Sequence, residues 1–322
     1  MKALVTGATG FVGSHLVEAL VRRGDAVTAL VRSPGKAALL NSLDIRQVKG
    51  DLHDGAALAA AVAGQEVIYH VAGLIAARNE AEFLHGNRDG TANLVAAAAA
   101  FGAKSRFVLV SSMAAGGPSP RGAPLDGSQP SQPVTQYGRS KLAGEEVVRA
   151  GALPWTIVRP PMVYGPRDHE VLKVFKLAGA FTPVFGDGSQ ELSAVYGPDL
   201  AEALIAAGMS PATVGKTYYA CHPEVFQSGD FVRRIGALRG KQVRIIPLPR
   251  WLAVGALSIT GTAARLAGKA TILTPDKAHE FFQPAWTGDP APLMRDSGWQ
   301  PAHDLNAGLK ATADWYLSQG WL

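Results

Sequence analysis

Cysteine is nearly missing from this chain: Cys221 is the only one in 322 residues. An intramolecular disulfide is therefore excluded, and so is a structural zinc cluster built on cysteines. The eight histidines are scattered, none at zinc-ligand spacing, so no metal is expected. Lys and Arg form no long run, which gives no footing for a nucleic-acid partner. The apolar stretch at 251–259 is too short to span a bilayer. Internal repeats are absent, and the alanine run at 96–100 reads simply as good helix former. The first expected strand begins at Lys2, directly after Met1, which leaves no room for a signal peptide. These absences point to a cytoplasmic protein in a reducing compartment.

What is present suits a large folded unit. Apolar residues make up 47% and charged residues 18%, enough for a substantial core. The formal charge of +5 is modest and is compatible with a phosphate-bearing ligand. Short, mostly apolar runs at 2–6, 26–31, 67–70, 106–111 and 155–159 read as buried strands, and 45–49 as a further strand. Helical spacing at 11–23, 37–43, 56–63, 91–101 and 136–150 separates them. Alternation of this kind predicts an α/β fold, a doubly wound parallel sheet with helices on both faces. After about residue 160 the pattern loosens. Helices at 199–207, 230–238 and 305–318 and strands at 216–220 and 243–246 are expected there. Residues 1–165 are read as the nucleotide-binding domain carrying the catalytic groups. Residues 166–322 are read as mainly a smaller substrate-binding lid, with some elements returning to the main sheet.

Between the first strand and the first helix lies Thr6-Gly7-Ala8-Thr9-Gly10-Phe11-Val12-Gly13. Gly7 permits a tight turn, Gly10 lets backbone approach a pyrophosphate, and Gly13 lets the helix pack on the sheet. Free N–H groups at the helix start, through Thr9, Phe11 and Val12, suit phosphate oxygens. This is the phosphate loop of a Rossmann dinucleotide site. The second strand ends Leu30-Val31-Arg32-Ser33, with no acid to hold a ribose 2′-hydroxyl. Arg32 and Ser33 instead suit a 2′-phosphate, so NADP(H) is expected over NAD(H). Asp51 and Leu52 after the third strand are placed to meet the adenine. Ala72 and Gly73 after the fourth let backbone run close to the cofactor.

Tyr137 and Lys141 are four residues apart on one expected helix, so they share a face. An ammonium beside a phenol favours phenolate, and such a phenol can exchange a proton with a hydroxyl or ketone. Ser112 ends the fifth strand at the carboxyl edge of the sheet, where open α/β sheets bind ligands.

These glycines, Ser112 and the Tyr137/Lys141 pair, in this order and spacing, resemble the extended short-chain dehydrogenase/reductase family. Asn87-x-x-Gly90-Thr91-x-Asn93-Leu94 resembles its fourth-helix motif. Arg159-Pro160-Pro161-Met162-Val163-Tyr164-Gly165-Pro166 resembles its sixth-strand motif beside the nicotinamide. Gly186-Asp187-Gly188-Ser189-Gln190 resembles the start of its substrate region. The resemblance covers nearly the whole chain. It implies that Tyr137 is the general acid/base, that Lys141 lowers its pKa and holds the nicotinamide ribose, and that Ser112 orients the substrate oxygen. It implies cofactor contacts from Pro160 and Val163, substrate contacts from Asn87, Met113, Tyr164 and Leu192, and a homodimer.

The family leaves several activities open. Leu192 stands where sugar-nucleotide enzymes carry a basic residue for the diphosphate, and an apolar side chain cannot make that pair. Met113 and Ala114 follow the serine where dehydratases place an acid. The aromatic C-terminal part, with Trp251, Phe281, Phe282, Trp286 and Trp299, resembles the 3β-hydroxysteroid dehydrogenase-like and ketone reductase branch. An NADP(H)-linked alcohol dehydrogenase or ketone reductase for an apolar substrate is therefore expected. An NAD-dependent sugar-nucleotide epimerase and a non-catalytic NADP-binding redox sensor are the alternatives. The intact Ser112, Tyr137 and Lys141 argue against the sensor.

Overall fold

The computed structural model describes residues 1–34, 38–102 and 105–322. In chain order the first half runs β1 (Lys2–Thr6), α1 (Phe11–Arg22), β2 (Ala26–Val31), α2 (Ala38–Asn41), β3 (Arg46–Lys49), α3 (Gly55–Val62) and β4 (Val67–His70). It continues through α4 (Glu80–Leu84), α5 (Gly90–Phe101), β5 (Arg106–Val110), α6 (Met113–Gly116), α7 (Gln136–Ala150) and β6 (Trp155–Arg159). The expected helix at 37–43 is seen as α2; residue 37 lies outside the described residues.

The second half contributes β7 (Met162–Tyr164), α8 (Glu170–Leu177), β8 (Phe181–Phe185), β9 (Glu191–Leu192), β10 (Ala194–Tyr196), α9 (Gly197–Met209), β11 (Lys216–Tyr219) and β12 (Phe226–Gln227). It ends with α10 (Ser228–Leu238), β13 (Arg244–Leu248), α11 (Arg250–Leu266), α12 (Ala278–Phe281), β14 (Ala285–Trp286), α13 (Ala291–Ser297) and α14 (Leu305–Ser318).

Seven parallel strands make the main sheet, in the order β3-β2-β1-β4-β5-β6-β11. The order reverses between β1 and β4, which opens a crevice at their carboxyl ends. Ala3, Leu4 and Val5 of β1 are fully buried, as a central parallel strand requires. One face of the sheet is covered by α1 and α9, through Leu16, Leu20, Leu200 and Leu204. The other is covered by α3, α5 and α7, through Leu58, Val62, Leu94 and Val148. Thus β11 and α9, both from the second half, complete the main layers. A separate apolar core around Phe175, Phe231, Ile235, Leu309 and Tyr316 holds the smaller β8/β13, β7/β10 and β9/β12/β14 sheets.

Helices α4 and α5 are joined by a π-helical turn, His85–Asp89. An inserted residue of this kind breaks the 3.6-residue rhythm, which is why helical spacing in the sequence became readable only from 91 onward. Among the described residues, no helix is long and apolar enough to cross a membrane, and no cluster of His, Cys, Asp and Glu is placed to hold a metal ion.

Candidate active site at the carboxyl edge of the sheet

The glycine loop leaves no room for side chains. Gly7 has φ +72°, and a Cβ there would stand 2.6 Å from the Ala72 nitrogen. A Cβ on Gly13 would stand 2.1 Å from the Gly7 carbonyl oxygen. The loops after β1 and β4 therefore meet backbone to backbone, and α1 starts directly against them. Gly10 caps α1 without a side-chain hydrogen bond, and Thr9 and Gly10 are exposed. Phe11 and Val12 are half-buried. The first-turn N–H groups thus face an open crevice, which fits the pyrophosphate of a dinucleotide.

His70 braces the crevice floor. Its Nδ1 meets Thr6 Oγ1 at 2.7 Å and its Nε2 meets Thr91 Oγ1 at 2.9 Å. Burial, with the nearby Lys141 charge, pushes its pKa down to about 3, so it stays neutral and ties β1, β4 and α5 together. Of the residues expected to meet the adenine, Asp51 is exposed and Leu52 packs against Gly90. Arg32 and Ser33 are exposed immediately after β2.

Tyr137 and Lys141 lie on α7, which Thr135 caps by accepting from the Gly138 N–H at 3.2 Å. Ser112 caps α6, accepting from the Ala114 N–H at 3.2 Å, and lies near enough to Tyr137 to influence its phenol. Ser111, its neighbour, points the other way and donates to Glu145 Oε1 at 2.5 Å. Tyr137 is half-buried. Burial pushes the phenol up to about 12; Ser112 pulls it down and Glu280 pushes it further up. Burial dominates, and the Lys141 ammonium is turned to the Val110 carbonyl, to which it donates at 2.9 Å. Burial lowers the Lys141 pKa to about 8, opposed by Glu145.

Gly73 is needed for a reason beyond cofactor approach. A Cβ there would come within 3.1 Å of Asn87 Oδ1 and 3.3 Å of Lys141 Nζ. Asn87, turned inward by the π-helical turn, is fully engaged. It accepts from the Leu74 N–H at 2.7 Å and donates to the Leu74 carbonyl at 3.0 Å and to Ser140 Oγ at 2.9 Å. It shapes the wall after β4 and aligns it with α7.

Several residues not singled out from the sequence hold the site. Glu145 is one helical turn beyond Lys141 and fully buried. Besides Ser111 it binds Arg159 through Nε at 2.8 Å and Nη2 at 2.6 Å, and Arg149 at 2.7 Å. Arg159 also donates to Ser131 Oγ at 2.6 Å. From the far end of the chain, Asp276 accepts from the Gln136 N–H at 2.9 Å and Glu280 accepts from Thr135 Oγ1 at 2.6 Å. Lys277, paired with Glu280, places its ammonium 5.7 Å from the centre of the Tyr137 ring. The i+4 rhythm of α7 could have revealed Glu145. Nothing local announces 276–280, because only the tertiary fold brings them there.

The remaining candidates divide. Pro160 accepts from the Met113 N–H at 2.9 Å, and Val163 is half-buried on β7. Met113 is buried with Tyr219 and Cys221, against Leu125 and Trp286. Leu192 on β9 is flanked by Phe226 and Trp286. Tyr164 is not at the cleft surface. Its ring is fully buried, its hydroxyl meets His222 Nε2 at 3.1 Å, and Gly308 packs onto it. Its role is in the core of the second half.

Residues 3–221 match the model of the NAD dependent epimerase/dehydratase family. The chain is 35% identical over 320 residues to a ceramide reductase of Caulobacter vibrioides, covering 99% of this chain and 95% of that protein. It is 28% identical to a 2-alkyl-3-oxoalkanoate reductase of Stenotrophomonas maltophilia, covering 96% and 98%. In fold it is similar to the solved UDP-glucose 4-epimerase of Thermotoga maritima, with a TM-score of 0.80 at 22% identity over 99% of each chain. With the glycine loop and the parallel sheet already in place, these matches fix the assignment: the chain belongs to the NAD dependent epimerase/dehydratase family, the extended short-chain dehydrogenase/reductases, and is an NAD(P)-dependent oxidoreductase.

Proposed function

We propose that the chain is an NADP(H)-dependent ketone reductase, or alcohol dehydrogenase in reverse, for a largely apolar substrate. The observation that carries this reading is Leu192 between Phe226 and Trp286. It surrounds with apolar groups the position that the family resemblance gives to a sugar nucleotide's diphosphate-binding cation. Trp286 in turn packs against the buried cluster of Met113, the residue after Ser112, so apolar contacts run from β9 toward the expected catalytic serine. The two reductase relatives support the same chemistry, since ceramides and 2-alkyl-3-oxoalkanoates carry alkyl chains. Exposed Arg32 and Ser33, with no acid at the end of β2, support NADP(H). In this reading residues 1–165 hold the cofactor and catalytic groups, and residues 166–322 mainly shape the substrate side.

The nicotinamide, when bound, supplies or accepts the hydride at the carbonyl carbon. Ser112 holds the substrate oxygen by a hydrogen bond. Tyr137, with its pKa pushed up to about 12, is protonated at neutral pH and gives that proton to the oxygen during reduction. Lys141, reaching past Gly73, holds the ribose side of the site.

Denaturing freshly purified protein and identifying the released nicotinamide tests this. A reductase exchanges cofactor each turnover, so little cofactor, or NADP, is expected. Near-stoichiometric NAD would contradict the reading and favour an epimerase that retains its cofactor.

A further inference from the structure

Helix α11 is built inside out. Of its 17 residues only Ala253 and Leu257 are buried. Trp251, Leu252, Ile259 and Leu266 are 74%, 44%, 73% and 85% exposed. At helical spacing these four, with Ala256 and Ala263, share one outward face, interrupted only at its edge by Thr262. A helix on a water-facing surface ordinarily turns its apolar stripe to the core instead. Contiguous exposed apolar surface of this kind marks an interaction site.

The charge around it narrows the partner. Residues 241–275 carry Lys241, Arg244, Arg250, Arg265 and Lys269, all exposed, and no acidic residue. A second copy of the same face would bring like charges together. A surface of anionic lipid headgroups complements both features, with Trp251 suited to the headgroup level. Helix α11 is not a membrane span; an apolar face with basic flanks suits a helix lying in the interface plane.

Its position also bears on the cleft. Thr260 Oγ1 donates to the Leu273 carbonyl at 3.0 Å, and Gly261 packs on Pro275. At the other end Arg250 lies over Phe282, 5.9 Å from the ring centre. The segment it leans on, 275–282, is the one that places Lys277 over Tyr137 and Glu280 on Thr135.

We propose that α11 docks the enzyme on an anionic bilayer surface through this outward face, with the segment over Tyr137 packed behind the helix. Delivery of an apolar ketone from the bilayer rests on the ketone-reductase reading; the docking itself does not. Flotation of the full chain with vesicles of phosphatidylglycerol and phosphatidylcholine tests it, alongside the double variant Ile259→Glu/Leu266→Glu. Both side chains are exposed, so the variant should keep the wild-type melting temperature. The wild type should float, less so at high salt, and the variant's bound fraction should fall by roughly tenfold or more. Failure of the wild type to float, or equal flotation of the two, overturns the proposal. A wild-type dimer in vesicle-free solution that the double variant converts to monomer also overturns it, because the face is then an interface between copies. Flotation needs no turnover, so it decides docking whichever substrate the enzyme takes.

Discussion

Glu145 and Arg159 form a buried two-point ion pair beneath the cleft, with Arg159 Nε and Nη2 on the two carboxylate oxygens at 2.8 and 2.6 Å. The same carboxylate accepts from Ser111, so the end of β5 is fastened to α7. That fastening sets Ser112 opposite Tyr137. Glu145→Gln keeps the shape but leaves the Arg159 charge without its partner. It should lower the unfolding free energy by roughly 3–5 kcal/mol, the scale for a broken buried pair. Urea denaturation measures this, and an unchanged midpoint would show that the pair contributes nothing.

Tyr137→Phe removes the hydroxyl and little else. Turnover should fall by roughly 10²–10⁴-fold, the scale for a general acid or base. NADPH affinity, read by fluorescence titration, should stay near the wild-type value. Wild-type turnover in this variant would remove Tyr137 from the chemistry.

Lys141 should set an alkaline limit. Its pKa is lowered to about 8 by burial, so it is a cation below that pH and loses its charge as pH rises through it. The Tyr137 phenol, at about 12, stays protonated over the same window. The pH profile of kcat/KM should therefore decline above about 8, with Lys141 responsible. A profile flat up to the ordinary lysine range would contradict this.

Two glycine substitutions should part company. Gly13→Ala places a methyl 2.1 Å from the Gly7 carbonyl oxygen, so α1 must move off the phosphate loop. Dinucleotide affinity should drop by about tenfold or more. Gly55→Ala meets nothing within 4 Å at the start of α3 and should be neutral or stabilising by about 0.4–1 kcal/mol. Equal cofactor affinity in both variants would mean that the close approach at Gly13 does not matter.

Much of this was legible from residues alone. The inner strands of the main sheet are near-continuous apolar runs, as strands buried on both faces must be, whereas the edge strands β3 and β11 carry polar residues. The phosphate loop and the Tyr137/Lys141 pair are short-range patterns set by local geometry. Less was legible where distance along the chain separates partners. Asp276 and Glu280 cap α7 from 140 and 145 residues away. Tyr164 sits in a motif beside the expected nicotinamide site, yet β7 turns its ring into the second core. Helix α11 reads as an apolar segment in either setting, and periodicity could not say that the apolar face points outward. The electrostatics of Tyr137 depend on burial, which a four-residue spacing does not contain.

Arg32→Ala should weaken NADPH binding far more than NADH binding, because a guanidinium pairs with the 2′-phosphate that only NADPH carries. Parallel titrations of the two cofactors read this directly. Equal losses would remove the basis for an NADP(H) preference.

The central claim is NADP(H)-linked reduction of an apolar ketone through Ser112 and Tyr137. Its most direct test follows NADPH oxidation by the wild type and by Tyr137→Phe with long-chain ketones, and in parallel follows interconversion of UDP-glucose and UDP-galactose. The account predicts ketone-dependent NADPH oxidation in the wild type, its loss in Tyr137→Phe, and no sugar interconversion. Sugar interconversion without net cofactor oxidation, and no turnover of ketones, would contradict it.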